Sequence, residues 1–400
     1  MSRLTPEQAN AGLGPEAGIA GIAGIAGIAG ISPAAGIAGI AGIAGIGGDS
    51  AAVSSALITN RDGIVGSWSP PVARPDHHPA GDVENLGRWS SDVRAKIIDY
   101  ETISRIGFSQ APGSDRIDIW HLKVGAEADS GRPATRYSRL VNMTRPSEDV
   151  LKSQLRYLDE YADLRADRAQ EILVQIGAAI EFFGQIVFLR PDRTKWTIEL
   201  ITAAQRLAVS VEMRVKHALA CRRPIEFSPQ VQPIIQTPGH GTLPSGHATE
   251  AFTVAAVIWR LMIAVAEEDP YPDRGPFPED LTKTGVQLMR QASRIAVNRT
   301  VAGVHFPVDS VAGAVLGLTL GSYFADRCEK RDTYRSWRFD GSAFPDTGDA
   351  DFDWNALYGV SENTFEEPAY ALNPKVRKFG QDVHSDILAD LWSRALAEWR

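Results

Sequence analysis

The clearest periodic pattern in the chain runs from about residue 146 to residue 326, where apolar positions recur every three or four residues. This spacing puts the apolar side chains on one face of an α-helix. The predicted helices cover 147–189, 190–220, a segment that starts at the tetrapeptide PSGH (244–247), 280–302 and 307–326. Such helices must pack against one another to bury their apolar faces, so the pattern predicts a mainly α fold built around a helical bundle.

The sequences on either side of this bundle are less regular. Residues 51–145 combine loop-forming segments with short apolar runs, among them DIWHLKV (118–124), which has the composition of a strand. Residues 331–400 are rich in Trp, Asp and Pro and are expected to pack on the bundle. We therefore predict a tail (1–50), a mixed N-terminal extension (51–145), the bundle (146–330) and a C-terminal extension (331–400), with both extensions irregular.

The predicted tail is a repeat. Residues 18–46 repeat Gly-Ile-Ala, with an interruption at 32–35. A period of three matches neither a helix nor a strand, and each glycine inside a helix costs about 1 kcal/mol. Pro33 is the only proline of the repeat, so a collagen-like helix is not expected. A low-complexity tail that is mobile in solution is the favoured interpretation, while polyproline-like packing and a membrane contact through the isoleucines stay open.

Composition narrows the class of protein. Hydrophobic residues make up 44% of the 400 residues, which is enough to bury a sizeable core. The net charge of −8 argues against binding to nucleic acid, so an anion site must come from a local cluster of basic residues. Cys221 and Cys328 are too few for a disulfide framework.

Two features bear on location. The first residues include Glu7 and Glu16 and lack an apolar core behind a basic start, so no signal peptide is predicted and a cytoplasmic location is expected. The apolar segments 251–266 and 311–325 are shorter than the roughly 20 residues that span a bilayer, and Arg260 interrupts the first. We therefore expect no transmembrane span. A homo-oligomer is expected.

Two polar clusters have the ligand types of metal sites without a complete ligand set. His77 and His78 lie between prolines and have no third ligand nearby in the sequence. Asp349, Asp351 and Asp353 alternate, but the fixed glycine and the closing glutamate of an EF-hand calcium loop are absent. Solvated loops are the favoured interpretation of both clusters.

Three separated segments place basic or hydrogen-bond-donating groups at predicted helix ends. In KHALACRRP, Lys216 and Arg223 are seven residues apart and would project from nearly the same helix face. In PSGH, Pro244 suits a first helical position. The backbone amides of Ser245 and Gly246 would then face outward from the positive end of that helix, and glycine would let an anion approach closely.

The third segment is NRTVAGVHFPVD (298–309). Arg299 lies near the end of one predicted helix, and His305 lies at the junction with the next. Asp309 is four residues further on and is placed to accept a hydrogen bond from His305 Nδ1. Each residue alone is explained as a helix cap, a solvated charge or a satisfied polar group. Together, three cations, a hydroxyl, a helix amino end and two imidazoles are what a tetrahedral trianion needs in a partly dry pocket.

These three motifs resemble the signature shared by vanadium-dependent haloperoxidases and the acid phosphatases of the phosphatidate phosphatase type 2 (PAP2) superfamily. The motifs are Lys216-x6-Arg223-Pro224, Pro244-Ser245-Gly246-His247 and Arg299-x5-His305-x3-Asp309. The resemblance covers roughly residues 150–326. It implies a helical bundle of the haloperoxidase/acid phosphatase type that holds phosphate or its mimic vanadate.

The resemblance also implies roles for individual residues. His247 would be the acid/base, and His305, hydrogen-bonded to Asp309, would either coordinate vanadium or attack phosphorus. The residues expected to bind the equatorial oxygens of the anion, here called the anion cradle, are Lys216, Arg223, Ser245, Gly246 and Arg299.

Other positions bear on which branch of the superfamily the chain resembles. His240 lies seven residues before His247, where algal bromoperoxidases carry a histidine, so it is a candidate halide site and favours bromide over chloride. The tripeptide FPV at 306–308 is more similar to the phosphatase sequence. Asn298 replaces the commoner serine, and Met213 stands where peroxidases often carry Trp or Arg.

We therefore predict a vanadate-dependent haloperoxidase that oxidises halide with hydrogen peroxide to hypohalous acid, with Lys216 activating the bound peroxide. Vanadate is the expected cofactor, phosphate its mimic or competitor, and hydrogen peroxide with halide or a small organic substrate the expected partners. The alternative is an acid phosphatase that hydrolyses phosphate monoesters through a phosphohistidine. A second alternative is a non-catalytic assembly or interaction protein with a vestigial anion pocket.

Overall fold

The computed structural model describes residues 51–70, 78–126, 133–267, 277–347, 350–380 and 384–400. The Gly-Ile-Ala repeat, His77 and Asp349 lie outside the described residues. The helices are α1 (Ala51–Ile64), α2 (Ser91–Ile103), α3 (Glu148–Ser153), α4 (Leu155–Glu160), α5 (Arg165–Ala178), α6 (Lys195–Leu219), α7 (Pro224–Phe227), α8 (Gly246–Glu267), α9 (Phe277–Val301), α10 (Pro307–Cys328) and α11 (Asp386–Ala397). Short 3-10 helices cover Val83–Arg88, Tyr161–Leu164, Ala179–Gln185, Pro229–Val231, Gly341–Ala343 and Trp354–Ala356. The strands are β1 (Ile106–Ser109), β2 (Arg116–Ala126), β3 (Pro133–Thr144), β4 (Thr333–Asp340), β5 (Tyr358–Gly359), β6 (Thr364–Phe365) and β7 (Ala371–Lys378).

The centre of the fold is a group of long helices in which α8 and α10 approach closely. All 22 residues of α10 are buried. Its glycines Gly313, Gly317 and Gly321 are spaced four residues apart and face α8. A Cβ atom at Gly313 would lie 2.7 Å from the Cβ of Ala248, and one at Gly321 would lie 2.7 Å from the Cβ of Ala256. The absence of these side chains brings the amino end of α8 next to the start of α10.

The predicted mainly α fold is confirmed, but the prediction of irregular extensions was incomplete. Strands from both extensions form one five-stranded sheet in the order β1-β2-β3-β4-β7. Strands β3 and β4 pair in parallel, with Val141 opposite Trp337, and the other neighbours pair antiparallel. Because β3 and β4 are separated by the whole bundle in sequence, no local pattern indicates their pairing.

The segment 147–189 was predicted as helical, and the structure divides it into short pieces. Ser147 caps α3 by accepting a hydrogen bond from the backbone N–H of Val150 at 3.2 Å. Helices α3, α4 and α5 then follow one another with tight 3-10 turns between and after them. These breaks let α5 pack against α9, where it reaches the site described below.

The expectation of no transmembrane span is wrong. That expectation counted only uninterrupted apolar residues, whereas α8 and α10 each continue for 22 residues through polar positions. Both helices are long and apolar enough to cross a membrane by length and composition. In the fold, 72% and 100% of these apolar segments are buried inside the protein. Buried core helices of soluble proteins share this length and composition, and the cytoplasmic location remains a prediction.

Candidate active site

The three sequence motifs meet in space at one end of the bundle. Lys216 lies in the last turn of α6, and Arg223 follows immediately before α7. Ser245 and Gly246 lie at the start of α8. The backbone N–H of Ser245 donates to the backbone oxygen of Asp309 at 2.9 Å, which joins the PSGH motif directly to the start of α10.

The cations of the anion cradle are almost completely buried: the exposed fractions are 1% for Lys216, 3% for Arg223 and 1% for Arg299. Burial lowers the pKa of Lys216 to about 8 and the pKa of each arginine to about 10. Buried charges are costly unless they are paired. Three such cations around one point therefore indicate a site that is completed by an anion.

Arg299 gives the most direct sign of that anion. Its Nη2 donates to the backbone oxygen of Ile172 at 3.2 Å and to Oε1 of Gln175 at 3.1 Å. Its Nε and Nη1 are buried and have no hydrogen-bond partner among the described residues. Buried donors are rarely left unsatisfied, so these N–H groups are available to donate to an oxyanion.

Lys216 and Arg223 hold the loop that leads into α8. Lys216 Nζ donates to the backbone oxygen of Pro244 and, at 3.5 Å, to that of Thr242. Arg223 Nε donates to the backbone oxygen of His240 at 2.9 Å, and its Nη1 donates to that of Val304 at 2.8 Å. The two cations therefore fix both loops of the site while they supply its positive charge.

His305 is held in one tautomer by its neighbours. Its Nδ1 lies 3.1 Å from Oδ2 of Asp309, and since a carboxylate only accepts, Nδ1 carries the hydrogen. Its Nε2 lies 3.0 Å from Nη1 of Arg223, which only donates, so Nε2 presents a lone pair. Burial first, and then Arg223 and Lys216, keep the pKa of His305 well below its usual range. This imidazole is therefore neutral and nucleophilic at Nε2.

Asp309 is supported from three directions. Its Oδ2 accepts hydrogen bonds from the hydroxyl of Thr242 and from the backbone N–H of Phe306, the latter at 2.9 Å, besides that from His305. Burial raises the pKa of Asp309 to about 6, while hydrogen bonds from Thr242 and Phe306 act in the opposite direction. The carboxyl is therefore ionised near neutral pH and orients His305.

His247 is held at the site through one of its ring nitrogens. Its Nε2 lies 3.1 Å from the backbone oxygen of Gln175, and because a carbonyl only accepts, Nε2 carries the hydrogen. Nδ1 is then the nitrogen that is free to exchange a proton. Burial, followed by the nearby Arg299, lowers the pKa of His247 to about 3.

Gln175 is a site residue that sequence reasoning missed. It lies in α5, outside the motifs, and is 0% exposed. Its side-chain oxygen accepts from Arg299 and, at 3.0 Å, from Nδ2 of Asn298, while its backbone oxygen binds His247. Asn298 also donates to Glu171 at 2.9 Å, so the asparagine that replaces the commoner serine belongs to the support of Arg299. No local signal in the sequence of α5 indicates this role.

His240 lies at the edge of the site, where it contacts Arg223, whereas the structure does not bring Met213 into the site. His240 Nδ1 is 3.1 Å from Nη2 of Arg223, and burial lowers the pKa of this half-buried imidazole to about 4. Met213 is exposed on α6 and is not among the buried residues of the site. Of the metal alternatives outside the site, His78 lies 3.9 Å from Asp82, and Asp353 caps a short helix at Asn355.

Gly246 has a steric reason to be glycine in addition to the expected approach of an anion, which stays a prediction. A Cβ atom at this position would lie 2.6 Å from Oε1 of Glu212. The space beside the cradle glycine is thus filled by a buried carboxyl group of α6. Glu212 is another residue that the motifs did not reveal.

Comparison with known proteins agrees with this geometry. The family model described as PAP2 superfamily matches residues 194–330. This region belongs to the PAP2 superfamily. The matched PAP2 region includes every residue of the anion cradle together with His247, His305 and Asp309. The superfamily indicates a hydrolase-type enzyme with phosphatase chemistry and gives no specific support to halide oxidation, vanadate or peroxide.

One solved structure similar to the chain is the first transmembrane PAP2 type phosphatidylglycerolphosphate phosphatase from Bacillus subtilis. The two chains share 17% identity, and the match covers 46% of this chain and 83% of that one, with a TM-score of 0.29. No curated protein sequence matches the chain.

Proposed function

We propose that this protein is a phosphohydrolase that cleaves phosphate esters through a phosphohistidine at His305. The observation that carries the proposal is the pair of unsatisfied donors on Arg299, which is 1% exposed and lies in the same cradle as two other buried cations. Each unsatisfied N–H group of a buried guanidinium can donate to an oxygen of an oxyanion such as phosphate. Superfamily membership of residues 194–330 supports the same chemistry.

In the first step, His305 Nε2 attacks phosphorus and the bond from phosphorus to the ester oxygen breaks. The electron pair of that bond leaves with the alcohol oxygen, which takes a proton from His247. Asp309 accepts the hydrogen bond from Nδ1 and stabilises the positive charge that develops on the imidazole. The tautomer held by Asp309 is the one that this step requires.

In the second step, water attacks phosphorus and the phosphorus–Nε2 bond breaks. His247 accepts a proton from the water, and the electron pair returns to Nε2, which restores the enzyme and releases inorganic phosphate. The cradle cations do not exchange protons in either step. They stabilise the charge on the three equatorial oxygens, which is greatest in the transition states.

Substrate binding and the protonation of His247 are coupled. Without an anion, burial and Arg299 keep the pKa of His247 at about 3, so the ring is neutral. A phosphate group beside Nδ1 adds negative charge and raises that pKa. The anion thus brings His247 to the protonated form in which it can act as an acid.

Arg223 must change partners when substrate binds. Its Nη1 donates to the nucleophilic nitrogen of His305 at 3.0 Å. A hydrogen bond on that lone pair prevents attack on phosphorus. A phosphate oxygen, which is a stronger acceptor for a guanidinium, would draw Arg223 away and free Nε2.

The same residues fit vanadate, because their donors match any tetrahedral oxyanion. Lys216, Arg223 and Arg299 would hold its oxygens and His305 would face its metal, and bound vanadate would supply Lewis-acid activation of peroxide. Halide oxidation is therefore a second candidate function. The contact of His240 with Arg223, at the edge of the cradle, favours it.

The two functions are separated by parallel assays of one preparation. We expect hydrolysis of p-nitrophenyl phosphate, competitive inhibition by vanadate, and loss of hydrolysis in His305→Ala. The exposed His384 offers a matched control, since His384→Ala should hydrolyse as fast as the wild type. Bromination with vanadate and peroxide, without hydrolysis of any phosphate ester, would instead establish the second candidate.

A further inference from the structure

A pair of carboxyl groups lies against the cradle and takes no part in the steps above. Glu212 is on α6, one turn before Lys216, and is only 4% exposed. Its Oε1 fills the space beside Gly246, and its Oε2 has no hydrogen-bond partner in the described part of the chain. A buried polar oxygen without a partner is costly when it is ionised.

Glu250 is the second member of the pair. It lies on α8, one turn after Gly246, and its Oε2 accepts a hydrogen bond from Nε2 of Gln205 at 2.6 Å. Helices α6 and α8 run antiparallel here, because Glu212 faces Gly246 while Gln205 faces Glu250. The two carboxyl groups therefore share the interface between α6 and α8, directly beneath the amino end of α8.

The charged and titratable groups around the pair come from four helices and from Arg223, which precedes a fifth. Lys216 on α6, Arg223 before α7 and Arg299 on α9 are the cations that act on one or both carboxyl groups. On α8, His247 lies one turn before Glu250, and Asp309 lies across the cradle at the start of α10.

The two carboxyl groups oppose each other's ionisation. Burial, and then the charge of Glu250, raise the pKa of Glu212 well above its usual range, against the opposing effect of Lys216. Burial raises the pKa of Glu250 to about 7. Two carboxyl groups that share one helix interface cannot easily both carry a charge, so the pair retains a proton near neutral pH.

We propose that Glu212 and Glu250 act as a proton-holding pair that sets the charge of the anion cradle. The cradle then binds phosphate tightly while the pair keeps a proton, and it binds phosphate weakly after the pair has lost that proton. The proposal rests on the phosphate chemistry proposed above. The residues act through the electrostatic field at the cradle and not by contact with substrate. They are positioning residues for the anion.

The sign of the effect follows from charge alone. A protonated pair adds one negative charge at most next to the bound anion, and an ionised pair adds two. As pH rises past the range in which the pair titrates, repulsion of the phosphate increases and affinity falls. A pair that only fixed α6 against α8 would affect folding stability without this dependence on pH.

Isothermal titration of the full-length protein with inorganic phosphate, on both sides of neutral pH, tests the proposal. Glu212→Gln and Glu250→Gln keep the shape of the side chains and remove the titration. In alkaline solution both should bind phosphate on the order of tenfold more tightly than the wild type, the scale of one charge–charge interaction in a partly screened site. Both should also show a flatter dependence on pH.

Glu199→Gln is the matched control. Glu199 lies on the same helix, pairs with Arg94 on the outside of the bundle, and should leave the pH profile of binding unchanged. Phosphate itself and Asp309 also titrate, but they do so in every variant. The charges of Glu212 and Glu250 raise the pKa of Lys216, so each glutamine variant loses the Lys216 proton at a lower pH. That loss weakens phosphate binding and therefore cannot produce the tighter binding expected of the variants. Titrations in buffers of different ionisation enthalpy give a second measurement. The wild type should take up more protons than either glutamine variant, because uptake at His247 is common to all of them.

Each outcome decides something. If both glutamine variants keep the wild-type pH profile, or if no extra proton is taken up, the proposal is overturned even when ester hydrolysis is observed. If binding responds as expected but no phosphate ester is hydrolysed, the proposed function fails and the carboxyl pair stands. If phosphate does not bind at any pH, both are refuted.

Discussion

Replacing Gln175 by leucine tests whether the support of Arg299 from α5 matters for substrate binding. The change keeps the size of the buried side chain. It removes the side-chain oxygen that lies 3.1 Å from Arg299 Nη2 and 3.0 Å from Asn298 Nδ2. It leaves in place the backbone oxygen that accepts the hydrogen bond from His247. A hydrogen bond to a charged group contributes about 1.5–3 kcal/mol. If the loss of this hydrogen bond to Arg299 lowers the free energy of phosphate binding by about 2 kcal/mol, phosphate should bind roughly 30-fold more weakly.

The assay is steady-state hydrolysis of p-nitrophenyl phosphate together with direct titration of phosphate. We expect Gln175→Leu to raise KM and also to lower kcat, because Arg299 holds the phosphate in the ground state and in the transition state. His305 and His247 keep their hydrogen bonds, so hydrolysis should not be abolished. Gln154→Leu is a matched control: Gln154 is also 0% exposed, but it binds the backbone of Val308 and Ala350. A fall in kcat without a change in KM or phosphate affinity would refute the reasoning.

Two further predictions concern stability. Gly317→Ala should destabilise the fold by about 1–3 kcal/mol in thermal unfolding, because the new methyl group would overlap the carbonyl oxygen of Thr249. Gly184→Ala is the control, since the new methyl group would have Leu189 as its nearest neighbour at 3.9 Å. It should change stability by no more than about 0.5 kcal/mol. Equal effects of the two substitutions would contradict the close packing of α8 on α10. Burial lowers the pKa of His121 to about 3, so the unfolded chain binds a proton below the usual histidine pKa of about 6.5 while the folded protein does not. As the pH falls from 7 to 5, this histidine should therefore lower the free energy of unfolding by about 2 kcal/mol. His121→Phe should remove that loss of stability, as measured by denaturant titration at several pH values. If the stability of the variant falls with pH as steeply as that of the wild type, His121 is not the source of the loss.

The sequence predicted the parts of the site that are carried by short motifs at helix ends. Lys216, Arg223, His247, His305 and Asp309 meet as expected, because each is within a few residues of a helix end whose position proline or glycine signals. The tautomer expected for His305 agrees with the contacts of its two nitrogens. Local chemistry was sufficient for these residues.

What the sequence did not indicate depends on contacts between distant segments. Gln175 supports Arg299 from a helix 124 residues away, and Val141 pairs with Trp337 in a parallel ladder. Neither position has a local pattern that distinguishes it from an ordinary buried residue. The contact of Gly246 with Glu212 was missed for the same reason, since the group that fills the space beside this glycine belongs to another helix.

The central claim is that His305 becomes phosphorylated, and it is tested most directly by trapping the intermediate. A phosphorus-labelled aryl ester is mixed with the enzyme and quenched in alkali, in which phosphohistidine is stable, and the label is located by mass spectrometry. An aryl leaving group departs without an acid, so His247→Ala should still form the intermediate but lose the base that activates water. We predict label on His305 in the wild type, accumulation of that label in His247→Ala, and none in His305→Ala. Turnover without label on His305, or label that persists in His305→Ala, would contradict the account.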